Sequence, residues 1–354
     1  MAEKVLMKGN EALAEAAIQA GCRHFFGYPI TPQTELAAYM AKRMPKVGGV
    51  YLQAESEVAA INMVLGASAA GVRVMTSSSS PGVSLKTEGI SYMAGSDLPA
   101  LICNVQRGGP GLGGIQPSQA DYWQATRATG HGDFQIIVLA PSTIQEMIDL
   151  VGLGFDLGDQ YRTPVMILSD GMLGQMMEPV ELPDNQEKVL PEKPWAASGH
   201  RNKRPRNILN SLYLTAQTLE DLVVERFKRY EIIKANEQRA EEYCTEDAEL
   251  VLVAYGASSR ICRSAVDQAR AKGLKVGLVR PITLWPYPVD AIERQVDHAK
   301  AFLAVEMSMG QMVDDVRLAV NGRKPVYFYG RTGGVIPTPG EVLAEVEKIL
   351  GGAQ

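Results

Sequence analysis

The 354-residue chain is 46% hydrophobic and 21% charged, enough apolar material to fill folded cores, so disorder is not expected and two domains or one large one are. The formal charge is -5, and the 35 Lys and Arg are dispersed apart from a loop-like cluster at Arg201, Lys203, Arg204 and Arg206, which gives nucleic acid no electrostatic footprint. With no apolar run of about 18 residues and no signal-peptide pattern at the N-terminus, the expectation is a soluble, cytoplasmic protein that neither enters nor crosses a membrane.

Through residue 185, short apolar runs alternate with helical patterns, which predicts a parallel sheet covered on both faces. Strands are expected at HFFGYP (24–29), GVYLQA (49–54), RVMTSSS (73–79), LPALICNVQ (98–106), FQIIVLAP (134–141) and TPVMILSD (163–170). Helices are expected over 10–20, 34–43, 57–70, 83–94, 118–129 and 142–157, several opening on Asn, Thr or Ser and closing near Gly.

Residues 186–247 read as a connector. They bring Pro191, Pro194, Pro205, the basic cluster and a charged helix over 218–243 with Leu219, Val223, Phe227 and Tyr230 on one stripe. A second α/β unit follows over 248–354, with strands LVLVAYG, KVGLVRP, AFLAVEM and PVYFYG and helices over 259–271, 289–296, 311–320 and 339–350. The fold class is therefore α/β, with two doubly wound parallel-sheet domains.

Candidate chemistry gathers at strand ends, where open α/β sheets place ligands. In GYPITPQTE (27–35) two prolines hold Thr31 in an extended turn ahead of a helix N-terminus, an arrangement that suits an anionic substrate and equally suits a simple capped turn. QAESE (53–57) sets Glu55 and Glu57 at the mouth of an apolar helix, where a carboxylate serves acid–base chemistry or merely complements the helix dipole. NVQR (104–107) runs into GGPGLGG (108–114), placing Arg107, a two-pronged carboxylate partner, beside a loop with five glycines that permits close backbone approach. That loop is neither a Walker loop nor a dinucleotide fingerprint. TSSSSPG (76–82) is another strand-to-helix turn, rich in hydroxyls beyond what capping needs.

The four cysteines, Cys22, Cys103, Cys244 and Cys262, form no CxxC pair, so no iron–sulfur or zinc site is encoded and any clusters lie on another chain. Glu306 in VEMSMGQM and Arg280 in VRPIT read as packing or ion-pairing residues rather than sites.

Taken in order, GYPITPQTEL, QAESEVAAINMVLGASAAG, TSSSSPG, NVQRGGPGLGG, VAYGASSR, VRPITLWPYP and VEMSMGQM resemble the alpha subunit of 2-oxoacid:ferredoxin oxidoreductases over nearly the whole chain. The likeness is nearest to the 2-oxoisovalerate (branched-chain) type, with the 2-oxoglutarate type as neighbour. The resemblance implies that residues 1–185 bind the pyrimidine of thiamine diphosphate and that 248–354 form a transketolase C-terminal-like domain.

It further implies that Glu57 is the catalytic acid on the pyrimidine (Glu55 if the register shifts by two), that Pro29 and Ile30 also contact the cofactor, and that Thr31 and Arg107 bind the substrate. No metal ligand is implied, because Ser169-Asp170-Gly171 lacks a following Asn at magnesium-motif spacing. The diphosphate and its Mg2+ would sit on a beta subunit, the clusters and coenzyme A would come with gamma and ferredoxin-like delta subunits, and ferredoxin would accept the electrons. A lipoamide-linked dehydrogenase half and a non-catalytic scaffold are the competing readings. Leu112, Ile115 and Met75 are the expected lining of an apolar substrate pocket.

Overall fold

The computed structural model describes residues 4–127, 129–183 and 189–351. The first stretch of chain folds as β1 (Lys4–Lys8), α1 (Gly9–Gln19), β2 (His24–Gly27), α2 (Thr34–Arg43), β3 (Val50–Gln53), α3 (Glu57–Ala69), β4 (Val74–Ser78) and α4 (Pro81–Gly95). It continues as β5 (Leu101–Gln106), α5 (Tyr122–Thr126), β6 (Ile137–Leu139), α6 (Ile144–Tyr161), β7 (Val165–Asp170), α7 (Gly171–Gln175) and β8 (Met177–Glu181). Runs such as LICNVQ and VMILSD have no polar face to offer water; every residue of β5 and β7 is buried, and the two strands lie side by side in the middle of a sheet.

That sheet has seven strands in the order β12-β6-β7-β5-β4-β2-β3, all parallel except the edge strand β12 (Thr283–Trp285), which pairs antiparallel with β6. β12 belongs by sequence to the second unit and by hydrogen bonding to the first sheet. The remainder runs α8 (Ala216–Asn236), β9 (Ala240–Tyr243), β10 (Leu250–Val253), α9 (Gly256–Ala271), β11 (Val276–Pro281), then β12, α10 (Val289–Val296), β13 (Ala301–Glu306), α11 (Met312–Val320), β14 (Val326–Gly330) and α12 (Pro339–Gly351). Its sheet order is β14-β13-β10-β11-β9, parallel apart from β9. Alternation along β10 divides two cores: Val251 and Val253 join the large cluster shared with the first sheet, whereas Leu250 and Leu252 pack with Cys262, Val266 and Val346 beneath α9 and α12.

The doubly wound α/β architecture agrees with the reading of the sequence, and three elements depart from it. The helix expected over 118–129 shrinks to Tyr122–Thr126, because Gln119 is spent on the second unit. Its N–H donates to the Met307 carbonyl at 2.9 Å, its side-chain amide donates to the Tyr255 carbonyl at 2.8 Å, and its side-chain oxygen accepts from Ser258 Oγ at 2.6 Å and from the Met307 N–H at 3.0 Å. The charged helix expected over 218–243 stops at Asn236, and residues 240–243 become an edge strand against β11. β1 and β8 form a small antiparallel ribbon that no sequence pattern announced.

Two charged residues in the second unit are structural. Glu306, fully buried, accepts the N–H groups of Gln311, Met312 and Val313 and the Ser308 hydroxyl, and so caps α11; burial pushes its carboxyl above the ordinary carboxylate range against those donors. Arg280 makes a two-pronged pair with Glu146 of α6 at 2.8 and 2.9 Å and reaches Glu241 of β9 at 2.7 Å, which clamps the two units together.

Gln119→Leu removes the side-chain bonds to the Tyr255 carbonyl, the Ser258 hydroxyl and the Met307 N–H while keeping the volume and the backbone bonds. Each buried group left unpaired costs about 1–3 kcal/mol. A marked fall in the urea midpoint, with α5 and the Met307 turn losing hydrogen-exchange protection first, is the expected result.

Candidate functional site

The C-terminal ends of β2, β3, β4 and β5 emerge along one edge of the first sheet, and the sequence-predicted residues sit in the turns that follow them. The 27–35 turn is tied from several sides. Gln33, fully buried, accepts from Ser77 Oγ at 2.6 Å, and the Pro32 carbonyl accepts amide donors from Asn10 of α1 at 2.8 Å and Gln175 of α7 at 3.1 Å. So fixed, Pro29 and Thr31 are exposed and Ile30 is half-buried at the rim.

Arg107 directly follows β5 and is almost completely buried. Its guanidinium donates to the Thr31 carbonyl at 3.0 Å and to the Leu112 carbonyl at 2.9 Å, joining the proline turn to the glycine loop, while its Nε has no partner. The loop folds back on itself through Gly114 N–H to Gly108 O at 2.9 Å, and a side chain at Gly113 (φ 60°) would meet that carbonyl at 1.8 Å, so glycine is obligatory there. Gly333 and Gly334 of the second unit pack on the same loop, against Gly108 and Gln116. Leu112 and Ile115 are exposed at its tip, whereas Met75 is buried in the sheet core and lines no surface pocket.

Between these turns runs β4 into α4. Ser80, the residue before the helix, has φ 26°, a conformation costly for a non-glycine residue, and it is held there from every side. Its N–H donates to Asn104 Oδ1 at 3.0 Å, its hydroxyl donates to Asp121 Oδ2 at 2.6 Å, and that hydroxyl accepts the Arg107 N–H at 3.0 Å. Asn104 Nδ2 also reaches Asp121, at 2.9 Å. Burial raises the Asp121 carboxyl above its ordinary range, opposed by the Ser80 and Asn104 hydrogen bonds and the Arg107 charge.

Glu57 opens α3, whose N-cap Ser56 accepts the Ala59 N–H at 3.2 Å. Its side chain turns inward, 6% exposed, while Glu55 stays exposed. At Gly82 a Cβ would stand 2.7 Å from Glu57 Oε1 and 2.2 Å from Ser78 Oγ, so the α4 backbone passes directly against the carboxylate. Among the described residues no hydrogen bond holds that carboxylate, and the neighbouring Ser78 and Ser79 hydroxyls are buried without partners. Buried polar atoms left unpaired in one place mark where a ligand completes the bonding. The polar Glu57–Ser78–Ser79–Arg107 edge thus fits the amino- and nitrogen-bearing ring of a cofactor on one side and a carboxylate on the other.

The DG-like candidate for a magnesium–diphosphate is already engaged. Asp170, the DG-like candidate, is buried, caps α7 by accepting from Met172 N–H at 2.8 Å and Leu173 N–H at 3.1 Å, and is pushed up to about 6 by burial against those backbone bonds. No group of three or more His, Cys, Asp or Glu suited to a metal ion occurs among the described residues. A cavity of about 600 Å3 lies elsewhere, between α6 and α9, where Arg260, Arg263 and Arg280 are already paired with Glu178, Glu241 and Glu146.

Sequence reasoning missed the Ser80–Asn104–Asp121 network and the buried Lys86, although the surplus of hydroxyls in TSSSSPG pointed to the first.

Residues 15–243 match the family described as pyruvate flavodoxin/ferredoxin oxidoreductase, thiamine diphosphate-binding, and residues 248–342 match the pyruvate:ferredoxin oxidoreductase core domain II. The chain belongs to the 2-oxoacid:ferredoxin oxidoreductase family. It is 48% identical to the ketoisovalerate oxidoreductase subunit VorB of Methanothermobacter thermautotrophicus, covering 98% of each chain. The 2-oxoglutarate synthase subunit KorA of the same organism is 35% identical over 99% of this chain and 100% of that one.

Among solved structures, the 2-oxoglutarate:ferredoxin oxidoreductase from Magnetococcus marinus superposes with a TM-score of 0.90 at 29% identity, over 98% of this chain and 65% of that longer one. A split-gene transketolase shares the fold at 15% identity, with a TM-score of 0.62 over 98% of both chains. No described helix of this oxidoreductase subunit is long and apolar enough to cross a membrane.

Gly82→Ala forces the β4–α4 turn apart at Ser78 and Glu57. Overpacking of this kind typically costs about 1–3 kcal/mol. A lowered melting temperature with Glu57 displaced in a crystal structure is expected; an unshifted carboxylate would show that the turn has slack.

Proposed function

We propose that this chain is the pyrimidine-binding subunit of a 2-oxoisovalerate:ferredoxin oxidoreductase, working with beta, gamma and ferredoxin-like delta subunits on a branched-chain 2-oxoacid. The observation that carries the chemistry is the buried Glu57 carboxylate, free of hydrogen bonds, on the same strand edge as Arg107 and Thr31. Substrate class rests on the full-length identity of 48–49% with ketoisovalerate subunits, against 35–38% with 2-oxoglutarate subunits.

When bound, thiamine diphosphate supplies the carbon nucleophile and electron sink that decarboxylation of a 2-oxoacid needs. Glu57 would hold a proton in exchange with the pyrimidine nitrogen, shielded from water by α4. Pro29 and Ile30 would form the apolar rim against the ring. Arg107 would turn its unpaired Nε and an N–H now on the Thr31 carbonyl to the substrate carboxylate, with the Thr31 hydroxyl beside it.

Because Arg107 also holds the Leu112 carbonyl, the apolar tip of the glycine loop lies next to that carboxylate site, which suits a branched aliphatic side chain better than a second carboxylate. The diphosphate and Mg2+ would bind the beta subunit, while iron–sulfur clusters, coenzyme A and ferredoxin would meet the reaction through the other chains. The exposed rim at Pro29, Thr31, Gln53 and Glu55 supports a site completed by a partner.

In the assembled complex, Glu57→Gln is expected to abolish anaerobic viologen reduction with 2-oxoisovalerate, thiamine diphosphate, magnesium and coenzyme A, while assembly persists. Wild-type-like turnover would remove Glu57 from the chemistry. Arg107→Ala is expected to raise the KM for 2-oxoisovalerate at least tenfold, about 1.4 kcal/mol, and an unchanged KM would leave Arg107 only its bonds to Thr31 and Leu112. Preference for 2-oxoglutarate by the wild type would overturn the substrate class.

A further inference from the structure

Two residues that stand at helix N-caps give up that role to bond each other. Ser80 precedes α4 and Asp121 precedes α5, and neither side chain accepts an N–H of its own helix, although Ser and Asp are among the residues best suited to do so. The Ser80 hydroxyl donates instead to Asp121 Oδ2 at 2.6 Å, and the Arg107 N–H donates to that same hydroxyl at 3.0 Å. The contact is kept even though it holds Ser80 at φ 26°.

Asp121 is fastened to the end of β5 at two further points. Its N–H donates to Gln106 Oε1 at 3.1 Å, and its Oδ2 also accepts from Asn104 Nδ2 at 2.9 Å. The second unit grips the chain on either side of it. Gln311 Nε2 donates to the Ala120 carbonyl at 2.8 Å, and Gln311 Oε1 accepts the Trp123 N–H at 2.8 Å. A continuous path of hydrogen bonds therefore leads from the second unit, through Asp121 and Ser80, to the backbone of the residue whose guanidinium meets Thr31.

A hydroxyl has one proton to give. While Asp121 takes it, in the shorter and stronger kind of bond a carboxylate makes, the lone pairs of Ser80 Oγ are left to the Arg107 N–H. Without the carboxylate the hydroxyl has the Arg107 carbonyl, 3.3 Å away, as its remaining acceptor, and the hold on Ser80 weakens.

Building on the assignment of Arg107 above, we propose that Asp121 is a positioning residue for the substrate: acting through Ser80, it sets the backbone of Arg107 so that the guanidinium meets the 2-oxoacid carboxylate. Both bonds to the Asp121 side chain fall on Oδ2, so an asparagine can accept them in its place.

The test is a double-mutant cycle on the KM for 2-oxoisovalerate, read as viologen reduction by the assembled complex. D121A is expected to raise KM about three- to tenfold, the scale of one lost hydrogen bond, with kcat and the activation by thiamine diphosphate little changed. S80A cuts the same link at its other end and is expected to match it, deciding the matter where D121A fails to assemble. D121N is expected to recover most of the loss. Added to R107A, D121A is expected to raise KM no further, because no guanidinium is left to misplace. An unchanged KM in D121A and S80A, a fall in kcat at constant KM, a D121N as impaired as D121A, or a D121A effect that adds in full to R107A overturns the role of Asp121. An unchanged KM in R107A refutes the Arg107 assignment itself, whereas a raised KM in R107A with an unmoved D121A refutes Asp121 alone.

Discussion

The passage of the chain from β4 into α4 governs this site. Gly82 leaves no room for a side chain between Ser78 and Glu57, and Ser80 is held in a strained conformation by Asn104, Asp121 and Arg107. A strained residue persists only when its surroundings over-determine it. Here those surroundings are the end of β5 and the 118–121 segment, so one turn carries the relative placement of the acid on α3, the arginine just after β5 and the proline turn after β2. Small residues in this turn are therefore a geometric requirement of bringing Glu57 and Arg107 to the same edge.

The second unit contributes rigidity to that placement. Gln119 is bonded on both its amide groups to Tyr255, Ser258 and Met307, two residues from Asp121, which grips Ser80. β12 closes the first sheet, and Arg280 bridges α6 to β9. Gly333 and Gly334 pack against the glycine loop that carries Leu112. A unit that looks merely appended in the sequence thus braces two of the turns at the site, which is how a fold with little chemistry of its own affects the precision of chemistry elsewhere.

The parallel strands were legible because apolar runs of four to six residues, bounded by turns and separated by helical periods, have few other solutions. The loops after β2, β3 and β5 were legible as candidate sites because strand C-termini are where such sheets bind ligands, and the structure does bring Arg107 against Thr31. What escaped was long-range. Nothing local in 118–129 says that Gln119 will spend its backbone on Met307, nor in 240–243 that AEEY will leave a helix for a sheet edge. Lys86 had a signal, a lysine on the stripe of Gly82, Val83, Gly89 and Ile90, but a lysine in a helix reads by default as solvent-facing.

The unpaired Ser78 and Ser79 hydroxyls, the Arg107 Nε and the unbonded Glu57 carboxylate lie within one connected edge. Leaving a buried polar group unsatisfied costs about 1–3 kcal/mol. The groups facing the core side of the same turns are fully paired: Ser77 with Gln33, Lys86 with Thr76, Asn104 with Asp121. The difference between the two sides is what separates a site from a scaffold. Along this edge Ser78 Oγ, Ser79 Oγ and Arg107 Nε stay open among the described residues, where cofactor, substrate and a second subunit would have to supply the rest.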